Sequence, residues 1–383
     1  MKKRMKLYVI FLIIALGIVS LLVSCGENDA DKQFSEENAQ STVFKVKFDL
    51  GNDYFNNKYK DEIKELSVLK NSKIKAMPSL TWLESDLAKF KIENWELNGV
   101  KFSESEYIKE NITLKAKYSI REIKFGEYPF SRVNPADLVL GEQYVESYAG
   151  LMVNNVSQQV VTATYVNDDQ GNKYEIRNGQ YYKFEKIVWE VAPVDEQITV
   201  KPVANDTTRG TYFTPKEILD ICDYYEEIEG KNTTSDKYYK YSRIRSWLNK
   251  IFLAKAFNEE EQSFIKERIL YHNTSTGNDI VNDNETTKDF VFLPAVYDIS
   301  QNTTFNMLRG KNSKYLLDKA NPSYLWTRSP KSKNPGISDL YINVFNMLDK
   351  NLVGKPSYRT QVDAFGIMPI IFVNEQYYYS NLV

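Results

Sequence analysis

Side chains that bind soft metals or act as nucleophiles are scarce in this chain: Cys25, Cys222 and His272 are all the cysteine and histidine among 383 residues. Zinc sites, Cys-His pairs and Ser-His-Asp triads need several such groups converging, so those chemistries are excluded. An enzyme built on this sequence would have to use carboxylates, tyrosines or lysines. Three sets of residues stand out. Arg245 and Arg328 sit in apolar, aromatic runs beside Trp247 and Trp326, where a planar cation is costly unless paired, and Asp339 and Asp363 are candidate partners. That cluster reads as structural pairing and stacking on Trp, or as a subsite for a carboxylate or sugar. Asp279, Asp283 and Glu285, with a second acidic run at Asn167-Asp168-Asp169, could offer oxygens to calcium, which takes about six to eight. Their spacing fits no EF-hand, so a solvated loop is the plainer reading, and no metal or other cofactor is expected. The 27 tyrosines cluster at Tyr181-Tyr182, Tyr224-Tyr225, Tyr238-Tyr239 with Tyr241, and Tyr377-Tyr378-Tyr379. Such clusters suit a recognition surface, although a chain rich in Lys, Asn, Ile and Tyr throughout gives them by composition alone.

At the N-terminus Lys2, Lys3, Arg4 and Lys6 precede an uncharged apolar run from Leu7 to Val23 and then small residues, the pattern of a secretory signal. Leu22-Val23-Ser24-Cys25 resembles the bacterial lipobox. The resemblance implies removal of residues 1–24, acylation of Cys25, and anchoring on the extracytoplasmic face of the cell membrane or outer membrane. The bilayer is therefore the first expected partner, since each buried CH₂ of an acyl chain contributes about 0.8 kcal/mol. The other reading is an uncleaved anchor, barely long enough for a hydrocarbon core of roughly 30 Å. With Cys25 acylated, Cys222 is the remaining thiol; no intramolecular disulfide can form, and Cys222 reads as a small buried hydrophobe. Loss of four basic residues and no acid leaves 45 basic against 51 acidic side chains. No basic field remains, which excludes a nucleic-acid partner.

Residues 25–42 carry the lipidated Cys and a polar, acidic tether of roughly 20 to 25 Å by random-coil scaling. From Val43, Phe44, Val46 and Phe48 alternate with charged residues, and Ile112, Leu114, Ala116 and Tyr118 do the same, predicting two half-buried strands. Asn98-Gly99 between Trp95-Glu96-Leu97 and Val100-Lys101-Phe102 predicts a type I′ hairpin. Farther on, a hairpin is expected around residues 167–171 and a β-rich run over 181–191. Thr214-Pro215 with Glu217 reads as a capped helix start ahead of Ile218 and Cys222. Ile244, Trp247, Leu248 and Ile251 have helical spacing, and Asn258 with Glu261 caps a further helix through Ile269. Strands return at 291–293, 324–326, 340–344 and 365–373. Helices gathered on a mostly antiparallel sheet give an α+β class.

Two resemblances follow from these residues. Phe44-Lys45-Val46-Lys47-Phe48-Asp49, the Trp95 to Phe102 hairpin and the closing Glu110 to Tyr118 run make residues 43–119 similar to the internalin-type B-repeat, a small β-grasp-like module of bacterial surface proteins. The usual Gly-Gly is reduced to Gly51-Asn52, and the Gly-Tyr before the Trp is absent. Phe125-Gly126-Glu127-Tyr128-Pro129, Val188-Trp189-Glu190-Val191, Ser242 to Asn249, Ala256-Phe257, Val291-Phe292-Leu293, Leu325 to Pro330 and Gly366-Ile367-Met368-Pro369 recur in that order in a domain family of bacterial surface proteins similar to the C-type-lectin-like fold of formylglycine-generating enzymes. That resemblance covers most of residues 120–374, before a Tyr-rich tail over 375–383. Met368 and Pro294-Ala295 stand where relatives often carry Arg and Leu-Ser. It implies a lectin-like domain without metal chemistry, because the copper-binding Cys pair and the His clusters of the related enzymes cannot be assembled here.

The expected function is a non-catalytic binding module for a glycan or protein ligand, displayed on a membrane. The alternatives are a structural envelope component without a small ligand, and a hydrolase with two carboxylates converging in a cleft.

Overall fold

The computed structural model describes residues 42–154, 157–196, 198–222, 224, 239–271, 286–300, 311–312, 324–330, 341–346, 351–356, 365–380 and 382. The chain is mostly β, with few helices and one large curled sheet forming a half-barrel. The α+β expectation therefore fits only loosely, although most strand pairs are antiparallel.

The first strand, β1 (Val43–Asp49), buries Val46 and Phe48 and leaves Lys45 and Lys47 wet, as its period-two pattern requires. A short helix, α1 (Asp53–Lys58), follows, capped by Asn52. Next come β2 (Leu66–Leu69), β3 (Ser72–Lys73), β4 (Trp82–Glu84), β5 (Ala88–Leu97), β6 (Val100–Lys101) and β7 (Tyr107–Ile108). Asn98 and Gly99 have φ of 53° and 83°, the two left-handed residues the I′ turn demands, and Leu97 faces Val100 across it. The long strand β8 (Ile112–Val133) pairs in parallel with β1 and antiparallel with β5. It runs unbroken through residue 120, where the sequence motifs change from one resemblance to the other. Its first half alternates wet and buried, whereas Ile123, Phe125, Tyr128 and Phe130 are all buried.

The sheet continues through β9 (Tyr144–Asn154), β10 (Ser157–Asn167), β11 (Lys173–Arg177) and β12 (Gln180–Val191). β12 lies between β8 and β11, and this pairing of residues 181–190 with 122–133 joins the two halves of the molecule. Beyond β13 (Val200–Pro202), the region read as a helix is strand: β14 (Gly210–Pro215), β15 (Glu217–Ile218) and β16 (Asp220–Ile221). The helical reading of Thr214 to Cys222 fails because β14 fills the gap between β12 and β25 (Ile370–Asn374), where its amides and carbonyls find ladder partners on both sides. Pro215 ends that strand.

The predicted Ile244 helix forms as α2, helical over Arg243–Ser246, widened to a π turn over Trp247–Phe252, and α-helical again over Leu253–Ala256. Asn258 and Glu261 make the full capping box of α3 (Glu259–Phe264). That helix stops before Ile269, because Ile265 bridges Val373 and β17 (Arg268–Leu270) joins a small sheet with β13 and β18 (Thr287–Asp289). The remainder is β19 (Val291–Phe292), α4 (Val296–Ser300), β20 (Lys311–Asn312), β21 (Tyr324–Pro330), β22 (Tyr341–Asn346), β23 (Asn351–Pro356), β24 (Phe365–Ile367), β25 (Ile370–Asn374) and α5 (Gln376–Ser380).

The expected tail is thus a helix, and two of its three tyrosines are core. Tyr377 and Tyr378 are buried, Tyr377 donates to the Lys124 carbonyl at 2.8 Å, and the Tyr379 ring stacks on Phe90 at 5.6 Å. Tyr182, Tyr224 and Tyr239 are buried as well, so these three are packing residues; Tyr181 is half-buried, and Tyr225 and Tyr238 lie outside the described residues. Among the described residues no helix is long and apolar enough to cross a membrane.

Candidate functional site

Within the Arg–Trp cluster, Arg328 and Trp326 are packed inside the protein. Arg328 has no exposed surface: Nη1 donates to the Leu293 carbonyl at 2.5 Å, Nη2 donates to the Thr199 carbonyl at 2.9 Å, and Asp298 lies 3.4 Å away. Trp326 stacks on Phe365 at 4.3 Å and donates its indole N–H to the Cys222 carbonyl. Arg245 gives Nε to Asp289 at 2.7 Å, Nη1 to the Lys240 carbonyl and Nη2 to the Lys288 carbonyl. Trp247 stacks on Phe252. Burial pushes the carboxyls of Asp289 and Asp298 up, while Arg245 and Arg328 respectively pull them back. Arg328 is enclosed by protein acceptors, whereas Arg245, bound on all three nitrogens, keeps about a quarter of its side chain exposed.

The arginines' partners are Asp289 and Asp298. Asp339 and Asp363 lie outside the described residues, as do Cys25, His272 and the calcium candidates Asp279, Asp283 and Glu285. In the other acidic run, Asp168 accepts from the amides of Gln170 and Asn172, the Asn172 side chain and the Tyr174 hydroxyl. Its oxygens are occupied by its own turn. Among the described residues no group of three or more His, Cys, Asp or Glu could hold a metal. Cys222 is partly buried and packs against the core.

A different site lies on the outer sheet face, opposite the face where Trp189 meets Phe257. A groove of about 180 Å³ is lined by Glu84, Ser85, Lys89, Glu122, Lys124 and Val188, among others. Register builds it: Glu84 pairs with Lys89, Lys89 with Glu122, and Glu122 with Glu190, a charged row crossing β4, β5, β8 and β12 that ends beside the buried Thr214 of β14. Directly opposed side chains share a face with Cβ atoms about 4.5 to 5.5 Å apart. Lys89 binds Glu84 at 2.8 Å and holds its carboxyl below the usual range. Lys216 binds Glu122. Glu190 is half-buried, and burial pushes its carboxyl up; Lys216 opposes this and Glu122 adds to it.

At one end of the row Trp82 is 40% exposed, with Lys89 Nζ 4.9 Å from its ring centroid. Behind it Lys58 donates to the Glu84 carbonyl and lies 5.6 and 5.7 Å from the rings of Tyr54 and Tyr59. An aromatic face beside paired acids and lysines can stack on an apolar ring face and hydrogen-bond hydroxyls. Two opposed acids in unlike environments also suit proton transfer. Sequence reading missed this site because Glu122 and Glu190 become neighbours only through the β8–β12 pairing. An exposed Trp82 within a polar stretch was the one local signal.

Residues 210–351 match a family described as a domain of unknown function (DUF6273). The match starts at β14, so β4, β5, β8 and β12, which line the groove, precede it. No curated protein and no solved structure matches the chain.

Proposed function

We propose that this chain is a lipid-anchored, non-catalytic binding module outside the cell membrane, and that its glycan or protein ligand seats in the groove beside Trp82. One observation carries the reading: an exposed Trp with a lysine over its face adjoins a groove whose charges are held on three paired strands. Such a surface is pre-organised, so little entropy is lost on binding. The lipobox-like Leu22 to Cys25 run supports the anchor. The Asn98-Gly99 hairpin and the parallel β1–β8 pair support a B-repeat-like, β-grasp-like first module. The ordered motifs between Phe125 and Pro369 remain the support for a lectin-like second domain.

The test is binding of residues 26–383 to glycan and protein arrays, with Trp82→Ala and Glu122→Gln beside the unaltered chain. Loss of a hit in both variants is expected; a hit that survives both places the ligand elsewhere, and no hit moves the function to a structural envelope role. The opposed Glu122 and Glu190 favour one second reading, a carboxylate hydrolase. It predicts release of reducing ends from a bound glycan, abolished by Glu190→Gln.

A further inference from the structure

We infer that the end of the molecule where the chain enters β1 is a membrane-docking tip, at which Val43, Leu69 and Tyr107, flanked by Lys70, Lys73 and Lys109, rest against an anionic lipid surface. The inference builds on the anchored reading above and names the partner of a second surface.

Topology gathers these residues. β2 runs antiparallel to β1, so Leu69 lies directly opposite Val43. The turn through Lys70 and Asn71 carries the chain into β3, where Lys73 pairs with Tyr107, and the Asn71 amide donates to the Ile108 carbonyl. β8 is parallel to β1 and starts beside Val46, which brings Lys109 to the same end. Three large apolar or aromatic side chains are left open there: Val43 at 49%, Leu69 at 50% and Tyr107 at 58% exposure. Lys73 Nζ lies 5.0 Å from the Tyr107 ring centroid. No carboxylate pairs with Lys70, Lys73 or Lys109 among the described residues, whereas Lys45 is bound by Glu65 at 2.7 Å. Of the nearby acids, Glu106 accepts the Ser103 amide and Glu110 is exposed.

This composition is that of an interfacial contact. Val and Leu enter the headgroup boundary, Tyr sits at its level, and Lys stems lie along apolar surface while the ammonium groups stay wet. Each lysine near an anionic surface strengthens the attraction, and salt screens it. Three side chains are too few for a stable protein interface, which buries about 1,200 Å² or more. They suffice for a contact that acts beside a lipid anchor, because tethering supplies a high effective concentration.

Chain length adds the second line of support. Between Cys25 and Val43 the backbone spans at most about 65 Å in any conformation, so an acylated Cys25 keeps this end near the bilayer. β8 leads away from it, and Glu122 of the groove lies ten residues along that strand, roughly 30 Å at strand rise. Docking the tip would therefore present the groove away from the lipid.

The test is hydrogen exchange on the full lipidated protein in vesicles of phosphatidylcholine with and without phosphatidylglycerol, after flotation has shown that the protein is anchored. Amides of residues 66–73 and 107–111 are expected to slow about tenfold or more in the anionic vesicles. The Asn98-Gly99 hairpin should not change, and high salt should reverse the effect. A Leu69→Asp, Tyr107→Asp variant that still floats should lose the protection. Equal exchange in both lipids, or protection that survives that variant and Lys70→Glu, Lys73→Glu, overturns the docking tip and leaves the anchor standing. Failure to float overturns the anchored reading itself.

Discussion

Arg328 is held by the Leu293 and Thr199 carbonyls and by Asp298, with no part of either charged side chain exposed. Removing one member strands a buried charge, which typically costs about 3 to 5 kcal/mol, while an apolar replacement of both is far milder. Urea unfolding of Arg328→Ala should show that loss, with Arg328→Met, Asp298→Leu recovering most of it; equal losses in both would mean the pair is not isolated. Asp206 gives a pH prediction. Burial pushes its carboxyl up, but the hydroxyl and amide of Thr208 and the Arg268 guanidinium outweigh this and hold it at about 2, against the ordinary 3.8. Because the folded value is depressed, the contribution is present above pH 3.8 and is lost as pH falls toward 2. Asp206→Asn should therefore flatten the acid limb of the stability curve in that window. Asp168 titrates in the same range, so the limb flattens without vanishing.

Gly126 in β8 and the turn after α2 are locked to each other. The glycine has φ of 67°, and a Cβ there would come within 2.5 Å of the Phe257 ring and 2.7 Å of the Ala256 carbonyl. Its amide donates to Glu261, the same carboxylate that closes the capping box of α3 and binds Lys186. Gly126→Ala combines left-handed strain with overpacking and should cost about 2 to 4 kcal/mol, whereas Asn258→Ala should cost about 1. Thermal unfolding of the two variants checks the order; similar shifts would show that the backbone relaxes around the new methyl. The capping box was legible in the sequence because its chemistry is local, three residues apart. The strand at Thr214 to Pro215 was not: Ser/Thr-Pro-x-Glu is a sound helix start, but the open edges of β12 and β25 reward an extended chain more.

Across the whole molecule, β8 and α5 tie the first module to the rest. β8 belongs to both halves, and α5 places Tyr379 on Phe90 of the first module and Tyr377 on Phe125 of β8. Burying the side chains of Tyr377 and Tyr378 contributes about 1.5 to 3 kcal/mol each. Ending the chain at residue 375 should cost several kcal/mol, and the intact chain from residue 43 should unfold in one calorimetric transition. Two separate transitions, or a truncation without effect, would mean that the halves are independent. The tyrosines of the C-terminal segment looked like a tail because exposure is not a property of composition.

Local chemistry determined the alternation of β1 and of the first half of β8, the I′ turn at Asn98-Gly99, and the α2 face. Each depends on residues within a few positions of one another. The partners of Arg245 and Arg328, the burial of the tyrosines and the charged row from Glu84 to Glu190 depend on contacts between residues from 30 to 253 positions apart, and the sequence carries no local record of them. Only the tertiary structure showed that Arg328 is enclosed and that the row beside Trp82 is open, because one face of a strand is solvent or core according to what packs against it.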